Sequence, residues 1–238
     1  MDEINSFKKG LKDGLPIGIG YLSVSFAFGI FAVENGLTVF QAVIISLLNL
    51  TSAGQLAAVP IIAGGGTLFE LAISQLVINS RYSLMSVSLS QKFSRKVKLP
   101  QKLLIAYGNT DEIFAVSVSN KGEVGTKYML GIILLPVIGW TSGTLSGAVV
   151  GNILPAMVTA ALGVAIYGMF IAIVVPVAKK EKMTALCVLL AIAISCAFRY
   201  IPLLKAVPSG FTVIICAVVA SVIFAIIAPI KTEEKEAE

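Results

Sequence analysis

Apolar runs alternate with short polar breaks along nearly the whole chain. Eight runs stand out: 15–33, 39–63, 68–91, 103–119, 128–149, 154–178, 184–201 and 211–230. Each is close to the ~20 helical residues that a bilayer core requires. None has the alternating ten-residue rhythm of a membrane barrel strand. The pattern predicts an all-α integral membrane protein. It forms a multi-helix bundle in one polytopic transmembrane domain over 1–238, with a short polar N-terminus at 1–14 and a charged tail at 231–238.

Two runs are punctuated in the middle. NLTSAGQ occupies 49–55 inside the second run, with Pro60 after it, and GWTSGTLSG occupies 139–147 inside the fifth, after Pro136. Residues that interrupt a helix at mid-depth free backbone groups, and protein or water must satisfy them because lipid cannot. Both runs are therefore expected to be interrupted or re-entrant. The shared Thr-Ser pattern at 51–54 and 141–143, about ninety residues apart, raises the possibility of an internal repeat with three elements per half. The glycine pairs alone, such as Gly143 and Gly147, read as helix packing.

Charge placement bears on the same question. Lys8, Lys9 and Lys12 precede the first run, five basic residues crowd 92–102, and Lys179, Lys180 and Lys182 crowd another connection. Eight full crossings would put the N-terminus and the loop 92–102 on opposite sides, against the positive-inside bias. Six crossings plus two re-entrant hairpins put both in the cytoplasm. The chain is then a multi-pass protein of the cytoplasmic (inner) membrane. No cleavable signal peptide is read at its start.

Composition narrows the chemistry. The chain is 57% hydrophobic and 13% charged, against about a quarter charged in soluble domains. No histidine is present, which removes the commonest zinc sites and any Ser-His triad. The adjacent acids 111 and 112 have poor geometry for sharing a catalytic water, so no enzyme is expected. Cys187, Cys196 and Cys216 read as buried small residues without a CxxC pair. No cofactor, metal or nucleic-acid site is expected; the basic clusters serve as membrane anchors.

The few polar groups inside the runs are the candidates for function. Arg81 lies near mid-depth in LAISQLVINSRYSLMSVSLS. Charges there are tolerated when they pair or face water. Gln75, Asn79, Ser83, Ser86 and Ser90 share one helix face, with Ser74, Arg81 and Ser88 nearly opposite. That places the helix in the middle of the bundle, or breaks it near Asn79. Arg81 would meet either a substrate carboxylate or the acids Asp111 and Glu112. Those acids follow Asn109 and Thr110. They lie either two turns into a helix, where one can exchange a proton, or in the first turn of a helix capped by Asn109 or Thr110. Asn49, Thr51, Ser52, Gln55, Asn79, Asn109 and Thr110 would add neutral hydrogen bonds to the binding site.

Four stretches in order, GLKDGLPIGIGYLSVSFAFGIFA, TSAGQLAAV, INSRYSLMSVSLS and GNTDEIFAV, resemble the AzlC family, the larger component of two-part branched-chain amino acid exporters. The similarity runs from about residue 7 to 225, with Val24-Ser25-Phe26 departing from an expected Pro-Phe pair. The resemblance implies proton-driven export of branched-chain or similar apolar amino acids with a small AzlD-type membrane subunit. A passive channel or facilitator for small polar solutes is the alternative.

Overall fold

The computed structural model describes residues 5–120, 122–151, 153–155, 157–158, 168, 171 and 174–228. The described residues are helical apart from connections and one isolated backbone bridge, Phe93 with Val124. Nine α-helices are described: α1 (Phe7–Glu34), α2 (Val39–Leu48), α3 (Ser52–Ala63), α4 (Leu68–Ser90), α5 (Leu99–Tyr107), α6 (Asp111–Ser119), α7 (Thr126–Gly151), α8 (Lys182–Tyr200) and α9 (Ser209–Ile227). The chain divides into two compact units, Met1–Gly168 and Met169–Glu238. Within the described residues, α1, α7, α8 and most of α9 are long and apolar enough to cross a membrane.

The first unit is built on α1 and α7. Gly10 sits against Gly131, Gly18 against Gly139 and Gly29 against Gly147. Positions rise together along both helices, so the two run parallel. Without side chains at these crossings the backbones meet directly, which is how helices associate where lipid removes the hydrophobic drive. A Cβ on Gly14 would fall 2.6 Å from the carbonyl oxygen of Ile132. Ser25 belongs to the same seam: fully buried, it donates to the Tyr21 carbonyl at 2.7 Å. α1 runs unbroken for 28 residues, with Pro16 in it.

α7 is also continuous, over 26 residues that include Pro136. This corrects the expected interruption at 128–149. Gly139, Gly143 and Gly147 are small because α1 lies on them, and no backbone is freed there. The break at 49–51 is real and separates α2 from α3. The second break lies at 108–110, between α5 and α6.

The connections show how these broken pairs run. Asn5 donates from Nδ2 to the Glu123 carbonyl and accepts at Oδ1 from the Gly125 amide. Val124 exchanges backbone hydrogen bonds with Lys92 and Ser94, and Thr126 lies 3.0 Å from Gln101. The starts of α1, α5 and α7 and the ends of α4 and α6 therefore share one end. So do Lys8, Lys9, Lys12 and the basic loop 92–102. α5–α6 enters and leaves at that end. α2–α3 enters after α1 and leaves before α4, at the opposite end. Each half-helix has 9 to 12 residues, or roughly 14–18 Å at 1.5 Å per residue, about half the ~30 Å hydrocarbon core. Both segments are hairpins reaching mid-depth from opposite faces.

The repeat is thus shorter than ninety residues. One long helix followed by one hairpin occurs twice, α1–α2–α3 and then α4–α5–α6 with reversed direction. Thr51 and Thr110 are the N-caps at the two breaks. The entry helices match as well. Gln41 returns its side chain to the Thr38 amide at 2.8 Å, and Gln101 returns its own to the Lys98 amide at 2.9 Å. Such a box satisfies an orphan donor at a helix start.

Two further expectations change. α4 is unbroken at Asn79 and is not enclosed within its unit. Ser74 and Leu89 are buried and Gln75 and Asn79 half-buried, while Leu76, Arg81, Leu84 and Val87 stay exposed. In the second unit, α8 carries no buried residue, and Cys196 is exposed while Cys187 and Cys216 are half-buried. An apolar helix surface facing lipid needs no protein cover. Cys187 Sγ lies 3.8 Å from the Ala220 carbonyl of α9.

Two outcomes check this fold. Gly14→Val should destabilise the purified protein by about 1–3 kcal/mol or more through overpacking, while Gly20→Val, with nothing within 4 Å of its added Cβ, should leave the melting temperature unchanged. Cysteines placed at 6 and 96 should label from one side of the membrane, and cysteines at 36 and 65 from the other.

Candidate functional site

The two breaks meet. Tyr107, the last residue of α5, donates its hydroxyl to the carbonyl of Leu47 near the end of α2. Between the tips lies a cavity of about 240 Å³, lined by Asn49, Thr51, Asn79, Tyr82, Tyr107, Asn109 and Thr110 with a few apolar neighbours. At ~30 Å³ of liquid volume per water, it holds about eight water-sized groups. Two half-helix N-termini, those of α3 and α6, open at this depth.

The α2–α3 break is tied to α4. Asn49 Nδ2 donates to Gln75 Oε1 at 3.0 Å, Asn79 Nδ2 donates to the same oxygen at 3.1 Å, and Gln75 Nε2 donates to the Gly54 carbonyl at 2.9 Å. Thr51 caps α3 by accepting from the Gly54 amide at 3.4 Å. No acid lies in the first turn of α3, so its positive end is uncompensated. The α5–α6 break differs. Asp111 and Glu112 form the first turn of α6 and complement its dipole themselves. The capping alternative therefore describes these acids.

Each acid has its own partner. Arg81 binds Asp111 in a two-point pair, Nη1 to Oδ1 at 3.0 Å and Nη2 to Oδ2 at 2.9 Å. Its guanidinium also lies over the Tyr82 ring, 4.9 Å from the centroid. Glu112 accepts from the Tyr21 hydroxyl of α1, whose oxygen is also 2.6 Å from Thr110 Oγ1. Tyr21 packs edge-on against Trp140 of α7 at 5.0 Å. The two acids thus tie the hairpin tip to α4 and α1, beside the bond of Tyr107 to α2 and that of Asn109 to α4.

Asn79 and Asn109 each leave the side-chain oxygen buried without a partner. Asn109 is 2% exposed, and its amide nitrogen donates to Ser86 Oγ at 3.2 Å. A buried acceptor left open costs about 1–3 kcal/mol. Two of them on one cavity mark a place where a donor is missing.

Of the residues named from sequence, Asn49, Thr51, Asn79, Asn109 and Thr110 line the cavity, and Arg81, Asp111 and Glu112 stand beside it. Ser52 begins α3 but is not in the lining. Gln55 is turned to α7: it is fully buried, accepts from Trp140 Nε1 at 2.7 Å and donates to Ser46 Oγ at 2.6 Å. Ser46 in turn lies 2.6 Å from Thr144 Oγ1. That network anchors the first hairpin. Tyr21, Tyr82 and Tyr107 were missed from sequence. Their signal was a hydroxyl inside an apolar run, which has to find a partner.

The family model described as AzlC protein matches residues 16–154, which contain both hairpins and the cavity. The chain is 31% identical over 191 residues to the inner membrane protein YgaZ of Escherichia coli K12, covering 77% of each. It is 32% identical over 181 residues to a membrane protein of Archaeoglobus fulgidus, covering 75% of this chain and 79% of that one. It is 23% identical over 180 residues to the branched-chain amino acid transport protein AzlC of Bacillus subtilis, covering 74% and 70%. No solved structure matches the chain. Two opposed half-membrane hairpins around a polar mid-depth cavity define a membrane transport protein. The chain belongs to the AzlC family.

The Arg81–Asp111 pair gives a direct check. Arg81→Met and Asp111→Asn should each lower the melting temperature. The double variant should lose less than the sum of the two, a coupling on the order of 1 kcal/mol, because a single change leaves one charge unpaired beside the cavity.

Proposed function

We propose that the protein exports small apolar amino acids, the branched-chain ones included, across the cytoplasmic membrane in exchange for protons. The observation that carries this reading is the pair of unpartnered side-chain oxygens of Asn79 and Asn109, two residues that line one cavity at the N-terminus of α3, where no acid stands in the first turn. An α-ammonium group brings the donors those oxygens lack. A carboxylate suits the positive end of α3 and the Thr51 hydroxyl. A transport protein for branched-chain amino acids among the relatives supports the same substrate class.

Proton coupling is assigned to Asp111 and Glu112. Protonating Asp111 removes the charge that holds Arg81. Protonating Glu112 takes the charge off the acceptor of Tyr21 and weakens that bond. Either event loosens the tip of the second hairpin from a spanning helix and lets the cavity change the face to which it opens. The end shared by Lys8, Lys9, Lys12 and loop 92–102 is placed in the cytoplasm on the positive-inside bias. A small AzlD-type membrane subunit is the partner that the family resemblance implies.

Efflux of labelled leucine from cells or sealed vesicles with imposed pH steps tests this. Wild-type efflux should follow the proton gradient. Arg81→Ala and Asp111→Asn should abolish it with expression intact, and Asn109→Ala should weaken leucine affinity by about tenfold, the loss of one hydrogen bond to a charged group. Flux that ignores the gradient and survives loss of the acids would make the protein a passive facilitator.

A further inference from the structure

Beside the polar cavity lies a second space of about 260 Å³, lined by Phe7 of α1, Leu104 and Tyr107 of α5, and Leu130, Ile133, Leu134 and Val137 of α7. Apart from the Phe7 and Tyr107 rings, those walls are aliphatic. Tyr107 lines both spaces. Its ring is the wall between them, held in place because its hydroxyl reaches the Leu47 carbonyl of the other hairpin. The crevice lies close to the breaks. Gly108, the cap of α5, is seated on Ile133, and a Cβ there would come within 3.0 Å of the Ile133 side chain.

We infer that this crevice is the side-chain subsite of the transporter, with Tyr107 as the residue that sets how large a side chain it takes. The inference rests on the amino acid reading of the polar cavity. It adds that the two ends of the substrate are recognised in separate compartments. The charged head stays among Asn79, Asn109 and Thr51. The hydrocarbon side chain passes the edge of the Tyr107 ring and lies against Leu104, Leu134 and Val137. A wholly polar cavity gives no reason to prefer leucine to alanine. An apolar crevice that shares the Tyr107 wall with it does, because each methylene placed in an apolar pocket changes affinity by on the order of tenfold. A hydrophilic side chain such as that of serine would lose its water there without a partner, so polar amino acids are excluded by the same wall.

Two variants move selectivity in opposite directions: Leu134→Trp changes no residue of the polar cavity, while Tyr107→Ala also removes one of its walls and the bond to Leu47, so it is read as a gain. Leu134 is 42% exposed, so Leu134→Trp fills the crevice without rebuilding a packed core. Tyr107→Ala merges the two spaces. Equilibrium binding of labelled leucine to the full-length protein in nanodiscs, with alanine and phenylalanine as competitors, reads the result. Leu134→Trp should weaken leucine tenfold or more and leave alanine within about twofold. Tyr107→Ala should bind phenylalanine at least tenfold more tightly than wild type does, a gain that misfolding cannot produce. If Leu134→Trp weakens alanine and leucine equally, or Tyr107→Ala gains nothing for phenylalanine, the subsite is elsewhere. If the wild-type protein binds none of the three, the amino acid reading itself fails, and the subsite with it.

Discussion

The structure is governed by what happens to a backbone that stops being helical halfway through a bilayer. Each interrupted helix leaves amides and carbonyls that hydrocarbon cannot satisfy. Here two such interruptions are brought to one depth and answer each other and α4. The Leu47 carbonyl takes the Tyr107 hydroxyl, the Gly54 carbonyl takes Gln75, and Thr51 caps the start of α3. The cavity is the residue of that arrangement: the volume that two opposed half-helix pairs cannot fill, already lined with polar groups because the breaks require them.

Around the tips the packing is close. α1 and α7 meet backbone to backbone along glycines, and the Trp140–Gln55–Ser46–Thr144 chain pins the first hairpin to that pair. The second hairpin packs Ile105 and Ile113 into the apolar core with α7 and adds two ionisable anchors, the Asp111 ion pair to α4 and the Glu112 bond to Tyr21 of α1. Neutral buried hydrogen bonds do not respond to protons, whereas carboxylates do. On the proposed coupling, these two carboxylates are the anchors that a proton would change.

The membrane class and the first break were legible in the sequence because their signals are local. Asn49, Thr51 and Gln55 within an apolar run have no bland reading. The second break was half legible. Asn109-Thr110-Asp111-Glu112 reads both as a cap and as a buried acid pair, and only the neighbours of Asp111 and Glu112 separate the two. The stretch 139–147 misled, since glycines every fourth residue serve close packing as readily as they mark a break, and the partner that decides, α1, lies more than a hundred residues away. The repeat of three elements was legible, but its second copy was sought at 139–147 instead of 108–110. The two copies share a fold path, the returning Gln41 and Gln101 side chains and a threonine at the N-cap position, of which Thr51 alone makes the capping bond. The tyrosines that close the site were not legible, because a hydroxyl in a greasy helix says that a partner exists without saying where.

The central claim is that both hairpin tips face one substrate cavity at mid-depth. Single cysteines replacing Asn49 and Asn109, in a protein whose three native cysteines are changed to serine, test it most directly. Modification by a small membrane-permeant thiol reagent would be followed with and without leucine. The account predicts that both positions react and that leucine protects both over the same concentration range. Protection of one position without the other, or reaction of either at a membrane surface regardless of leucine, would contradict it.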